Sequence, residues 1–280
     1  MRVGFITQLL WSRYGELWHH LITGIGSEAV FADEARVMVA LEDARVQSVP
    51  GLVFQLASAQ ALALQDCDLI IAPDLNPGAD LARGSGQDPW VASFPEALAT
   101  SFAGLPPIAS VSAQMGEGLE SAATQLLLSL SRDPAKVRRV WEQNKGRAKS
   151  PKKTSVRWTV SPSEKETVGL LSQSWHFSDK LLGLVKTEGT HVVSQDLLDP
   201  AELREEAWRA EPRLVASDAE VLGAARLMAR KGSVARLHFV ADKTSGSDAW
   251  LVQQLGKLIH KPLSISYLQD SAQGAAELLS

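Results

Sequence analysis

The chain has 280 residues, 45% of them hydrophobic, enough apolar material for one large core or two ordinary ones. A net charge of -4 argues against generic nucleic-acid binding, and no run reaches the roughly 20 apolar residues of a membrane span. The single cysteine, Cys67, excludes an internal disulfide and any zinc or iron–sulfur site built from several cysteines of this chain, and it suits a reducing compartment.

The opening "MRVGFITQLLWSRYG" has a short apolar run, broken by Gln8 and ended by Arg13 without a small-residue cleavage pattern. A soluble, cytoplasmic chain is expected. Val3 to Gln8, "VGFITQ", reads as a buried parallel strand, because a short apolar run closes in polar residues and a helical pattern follows. In "SRYGELWHHLITGIG" the residues Tyr14, Leu17, Trp18, Leu21 and Ile22 stand at helical spacing, with Ser12 as the expected N-cap and Gly24 and Gly26 as the stop. "EAVFAD" is the next strand, and "VFQLASAQALALQ" a helix. "CDLIIAPDLNP" (67–77) and "PPIASVSAQ" (106–114) are further strands.

The stretch "SRDPAKVRRVWEQNKGRAKSPKKTSVRWTVSPSEKE" (131–166) starts as a helix near Pro134 and loses apolar periodicity after Trp141. It predicts an N-terminal lobe over residues 1–145, a basic linker over 146–165 and a C-terminal lobe over 166–280. The second lobe opens with "VGLLSQ", Val168 to Gln173, a near copy of the first hexapeptide. A helix over "SDKLLGLVKTEG", capped by Ser178 and stopped by Gly189, leads to the strand "THVVSQD". The strands "VARLHFVADKTSGSD" (234–248) and "KPLSISYLQD" (261–270) flank the helix-like "DAWLVQQLGKLIH". Alternating strands and helices predict an α/β fold: two Rossmann-like (flavodoxin-like) lobes with parallel sheets around an interdomain cleft.

Open parallel sheets place ligands beyond the carboxyl ends of their strands. The loops over 7–14, 73–77, 110–116, 172–179 and 241–248 therefore hold the candidate ligand contacts. They carry Gln8, Trp11, Arg13, Tyr14, Asp74, Asn76, Gln173, Trp175, His176, Asp179, Lys243, Ser245 and Asp248, and Trp90 is a further stacking candidate. Familiar catalytic motifs are missing from the sequence. No phosphate loop or nucleophile elbow occurs, and "RGSGQDPW" lacks the third glycine of a dinucleotide fingerprint. His19 and His20 are adjacent and project about 100° apart on a helix, which suits no shared metal. No metal site and no catalytic residue is assigned. Cys67, at the start of an apolar strand, is expected to be a buried, inert thiol.

Five segments carry a resemblance. They are "VGFITQLLWSRYGELWHHLITGIG", "GLVFQLASAQALALQDCDLIIAPDLN" (51–76), "DPWVASFPEAL" (88–98), "VGLLSQSWHFSDKLLGLVKTEGTHVVSQDLL" and "HFVADKTSGSDAWLVQQL". Through them the chain resembles the benzoyl-CoA reductase / 2-hydroxyacyl-CoA dehydratase family, in its branch related to CoA-enzyme activases. The resemblance implies three cysteines holding an iron–sulfur cluster that an ATP-driven activase feeds with electrons. Gly51, Asp88 and Ser245 stand where those cysteines would fall, and Gln55, Ser58 and Gln60 replace the family's Lys and His positions. Gly, Asp and Ser cannot replace three soft thiolates. No cofactor is expected.

The reading this gives is a cluster-less family member, a non-catalytic structural or regulatory subunit or a ligand sensor. Its expected partner is a cysteine-bearing paralogue or a second copy of the chain. One alternative is an enzyme acting on a small carboxylate or CoA-type ligand through Arg13, Tyr14, Trp90, Gln173 and His176. The other is a two-lobed solute-binding protein.

Overall fold

The computed structural model describes residues 1–75, 88–116, 118–149, 156, 158, 166–177 and 189–270. Asn76, Ser178, Asp179, the expected helix over 178–188 and most of the basic linker lie outside these residues.

In chain order the first half holds β1 (Arg2–Phe5), α1 (Trp11–Gly24), β2 (Glu28–Phe31), α2 (Glu34–Leu41), α3 (Ala44–Gln47) and α4 (Leu52–Ala63). It continues with β3 (Leu69–Asp74), α5 (Pro89–Ala92), α6 (Phe94–Ser101), β4 (Ile108–Ser112), α7 (Leu119–Leu130) and α8 (Pro134–Asn144). The second half holds β5 (Glu166–Ser172), β6 (Thr190–Ser194), α9 (Pro200–Trp208), α10 (Ala216–Ala229), β7 (Val234–Ala241), α11 (Gly246–Leu258) and β8 (Leu263–Tyr267). No described helix is long and apolar enough to cross a membrane.

The protein is an α/β chain with two four-stranded sheets, β2-β1-β3-β4 and β6-β5-β7-β8. Every strand pair among the described residues is parallel. The described residues form two compact units. Residues 1–49, 54–75 and 93–149 belong to the first, and the second joins the short stretches 50–53 and 88–92 to the C-terminal half.

In the first unit Val3, Phe5 and Ile6 meet Tyr14, Leu17, Trp18, Leu21 and Ile22 of α1 in a core that excludes solvent. Phe5 stacks on Phe31 at 5.8 Å between ring centroids and takes Trp11 edge-on at 5.5 Å. The expected cap of α1 is corrected. The helix starts at Trp11, and Leu10 occupies the cap position with a left-handed φ of 71° and no side-chain bond. Leu9 is left-handed as well, at φ 62°. Both leucines are buried, so apolar burial outweighs the cap bond that Ser12 could have made. At the other end, Gly26 stops the helix with φ 87°. α8 is longer than its apolar pattern suggests, running to Asn144 from an Asp133 cap that accepts from the Lys136 N–H.

The second unit is built around α10, a helix the sequence pattern does not announce. Every residue from Ala216 to Ala225 is buried, including Asp218 and Glu220. Its partner α9 comes so close that a methyl group at Gly223 would sit 1.9 Å from the Leu203 carbonyl oxygen. β5 is buried from Thr167 to Ser172, as a central parallel strand covered on both faces should be.

Candidate functional site

The carboxyl end of β1 is closed by side chains. Gln60 of α4 accepts from the Thr7 and Gln8 N–H groups at 2.9 and 3.3 Å and donates from Nε2 to Thr7 Oγ1 at 2.8 Å. Tyr14 is buried, its hydroxyl donating to the Ile6 carbonyl at 2.6 Å, and burial pushes its pKa well up. Trp11 is fixed edge-on by Phe5, Tyr14 and Phe31. Arg13 lies in the first turn of α1, its N–H bonded to the Leu10 carbonyl, and Asp74 ends β3. Gln55 donates to the Val49 carbonyl at 2.9 Å, and Ser58 is wholly buried. Cys67 is buried just before β3, and burial raises the pKa of its thiol.

The second unit concentrates buried polar groups where β5 and β7 end. Gln173 follows β5, and its Nε2 donates to Asp218 Oδ1 at 2.7 Å and to Ser247 Oγ at 3.3 Å. Ser247 donates in turn to the same Asp218 oxygen at 2.7 Å. Asp248, in the first turn of α11, accepts from the Asp242 N–H at 2.6 Å. Gln173, Asp218 and Asp248 have no solvent exposure, and Ser247 has almost none. A buried polar group this far from water needs partners. Yet among the described residues Gln173 Oε1, Asp218 Oδ2 and Asp248 Oδ1 have none.

His176 sits beside this group. Ser172 spends its one hydroxyl proton on the Val240 carbonyl at 2.6 Å, so the 2.9 Å contact with His176 must be donated by Nδ1. The imidazole is thereby assigned as the Nδ1–H tautomer. Burial lowers its pKa to about 4 against the opposing charge of Asp242, so it is neutral near pH 7. Its ring meets Trp175 edge-on at 6.0 Å. Ser174 donates to Glu220, which is paired with Arg204 at 2.6 Å.

Asp242 is the other acceptor centre. Its Oδ1 takes bonds from the Thr244 N–H, the Thr244 hydroxyl and Gln269 Nε2, while Oδ2 takes the Leu52 N–H at 2.5 Å. These donors hold its pKa below the usual carboxylate value despite burial. Burial has the upper hand at Asp218 and Asp248, raising their pKa to about 6 and about 8. Lys243 lies over the Tyr267 ring at 5.4 Å.

The three positions at which the sequence resemblance implies cysteines come together in this unit. The Gly51 N–H donates to Thr244 Oγ1 at 3.1 Å, next to Ser245. A methyl at Gly246 would lie 3.9 Å from Asp88 Oδ2. The two side chains among them serve the backbone. Ser245 Oγ caps α11 through the Asp248 N–H, and Asp88 Oδ1 accepts from the Trp90 N–H at 2.9 Å. Gly51 has a φ of 91°, a conformation that a cysteine would adopt only under strain. Trp90 is buried beside this patch, in α5. The residues present do not fit an iron–sulfur cluster, since none supplies a thiolate. Among the described residues no group of His, Cys, Asp or Glu is placed to hold a metal ion.

Gln8, Trp11, Arg13, Tyr14 and Asp74 thus fall in the first unit, and Trp90, Gln173, Trp175, His176, Ser245 and Asp248 in the second. Asp218, Glu220, Ser247 and Asp242 are the site residues that the motif reading passes over. A signal for Asp218 was present in hindsight: it lies among small and apolar residues, "VASDAEVLGAA", with little to make a solvent-facing helix stripe. Comparison with family models, with curated proteins and with solved structures gives no match.

Proposed function

We propose that this chain is a cluster-less member of the benzoyl-CoA reductase / 2-hydroxyacyl-CoA dehydratase family, built from two Rossmann-like lobes. In this reading it works in the cytoplasm as a non-catalytic structural or regulatory subunit beside a cysteine-bearing partner. One observation carries the proposal. Gly51, Asp88 and Ser245, distant in sequence, meet through Thr244 and Gly246 in one patch, as a shared ligand set would require. The same patch offers no soft ligand, and its oxygens are engaged in capping backbone N–H groups. A retained framework with redirected side chains supports a role in assembly more than one in electron transfer.

Iron quantitation and a visible spectrum of anaerobically purified protein test the first half of the reading. Negligible iron is the expected result, and a stoichiometric cluster would sink the proposal. Co-purification from native cells tests the second half. Recovery as a lone monomer in every fraction would remove the partner role.

A further inference from the structure

Among Gln173, Asp218, Ser247 and Asp248 every available proton is already committed. Both Gln173 Nε2 protons are engaged, with Asp218 Oδ1 and Ser247 Oγ, and the Ser247 hydroxyl proton goes to Asp218 Oδ1. The reverse amide orientation would set an oxygen against Asp218, so the side chain is fixed as it stands. What remains among the described residues is three fully buried oxygens without a donor: Gln173 Oε1, Asp218 Oδ2 and Asp248 Oδ1. Two ionised carboxylates held this way would face an amide oxygen and each other's charge in a low-dielectric interior. The two carboxyl groups differ in how they are served. Asp218 Oδ1 accepts two side-chain bonds, whereas Asp248 accepts one bond from the backbone, on Oδ2.

We propose that the second unit holds a buried proton-binding site, in which Asp248 carries a proton on Oδ1 at neutral pH while Asp218 stays ionised. That proton turns one of the three unpartnered oxygens into a donor and makes the packing of β5, α10 and α11 depend on pH. The inference does not rest on the family reading above.

The other charged groups around the site leave the assignment standing. Asp242, at the end of β7, has its charge stabilised by four donated bonds, and its proximity disfavours a second ionised carboxylate at Asp248. On α10, Glu220 is neutralised by Arg204 of α9. His176, after β5, is held neutral by burial and adds no positive charge. Lys243 points its ammonium over Tyr267. A protonated Asp248 is favoured by burial first and then by the charges of Asp242 and Asp218, which together outweigh the Asp242 N–H and the nearby Gln173 amide that favour the ionised form.

The sign of the linkage follows. The folded state keeps this proton to about pH 8, whereas an unfolded aspartate releases it near 3.8. The contribution is complete below the unfolded value and is lost as pH rises toward the folded one. Urea unfolding of the full-length chain should therefore be compared at pH 6.5 and 7.5 for the wild type and Asp248→Asn. The amide supplies a permanent donor in the same shape, and shared contributions such as the histidines cancel between the two. The wild-type unfolding constant should rise by close to tenfold relative to the variant over that one pH unit. Equal pH dependence would overturn the proposal. Should Asp248→Asn fail to fold, the infrared spectrum of the wild type decides the matter. A protonated-carboxyl C=O band at pH 7 that fades as the pH passes about 8 is expected, and its absence would overturn the proposal equally.

Discussion

The hexapeptides "VGFITQ" and "VGLLSQ" begin the two units in the same way and finish them differently. Each carries the C-terminal part of its unit's first strand, which stands second in a sheet whose order, counted within the unit, is 2-1-3-4. Each glycine packs tightly on side chains: a methyl at Gly4 would lie 3.1 Å from Leu64, and one at Gly169 would lie 2.6 and 2.7 Å from Leu237 and Met228. Each strand end is received by a glutamine carbonyl, Gln60 of α4 for Thr7 and Gln195 after β6 for Ser172. Beyond that point the units part. The first turns through two buried leucines into an aromatic helix, while the second leads into a buried set of acids and amides. The apolar strand and its glycine are a common solution to packing a parallel sheet. The polar residues at its end are free to differ, because each set needs only its own partners.

The glutamines offer the sharpest way to break this comparison. Gln60→Ala would strip the Thr7 and Gln8 N–H groups and the Thr7 hydroxyl of their partner, and about 2–3 kcal/mol of stability should be lost in urea denaturation. Gln195→Ala removes a single 3.4 Å bond from a side chain whose Nε2 is already unpaired, and should cost under about 1 kcal/mol. Equal losses would mean that the two strand ends are not held differently.

Gly169→Ala should come next, at about 2 kcal/mol, with Gly4→Ala nearer about 1 kcal/mol, because the clash at Gly169 is the tighter of the two. A reversal of that order in thermal unfolding would show that Leu237 and Met228 yield more readily than Leu64. His176→Gln then sharpens the contrast in titration. The folded imidazole titrates near pH 4 rather than 6.5, so its contribution is present above 6.5 and disappears as pH falls toward 4. The wild type should lose up to about 1.4 kcal/mol per pH unit relative to the variant across that window. The smallest effect is expected from Tyr14→Phe. Loss of the bond to the Ile6 carbonyl should cost about 1 kcal/mol, with no pH dependence between 5 and 8.

The strands were legible because buried parallel strands are short apolar runs bounded by polar residues, and β1 through β8 all overlap such runs. The α1 helix was legible from Tyr14 to Ile22 for the same reason of spacing. Its cap was not, since the choice between Ser12 and a left-handed Leu10 depends on where Leu9 and Leu10 find a core. Gln173 and Asp248 were visible as loop residues at strand ends. Asp218 was not, because an acid in the first turn of a helix ordinarily faces water, and only the packing of α10 between its neighbours buries it.

By itself the sequence determined the alternation of strands and helices, the repeated first strand and the absence of a thiolate set. Those follow from local periodicity and residue chemistry. The tertiary structure alone decided that Gly51, Asp88 and Ser245 share one patch, and that Gln173, Asp218 and Asp248 lose their water together. Charge burial is a property of the surrounding fold, since a carboxyl group's protonation depends on which distant residues exclude solvent and which donors they leave behind.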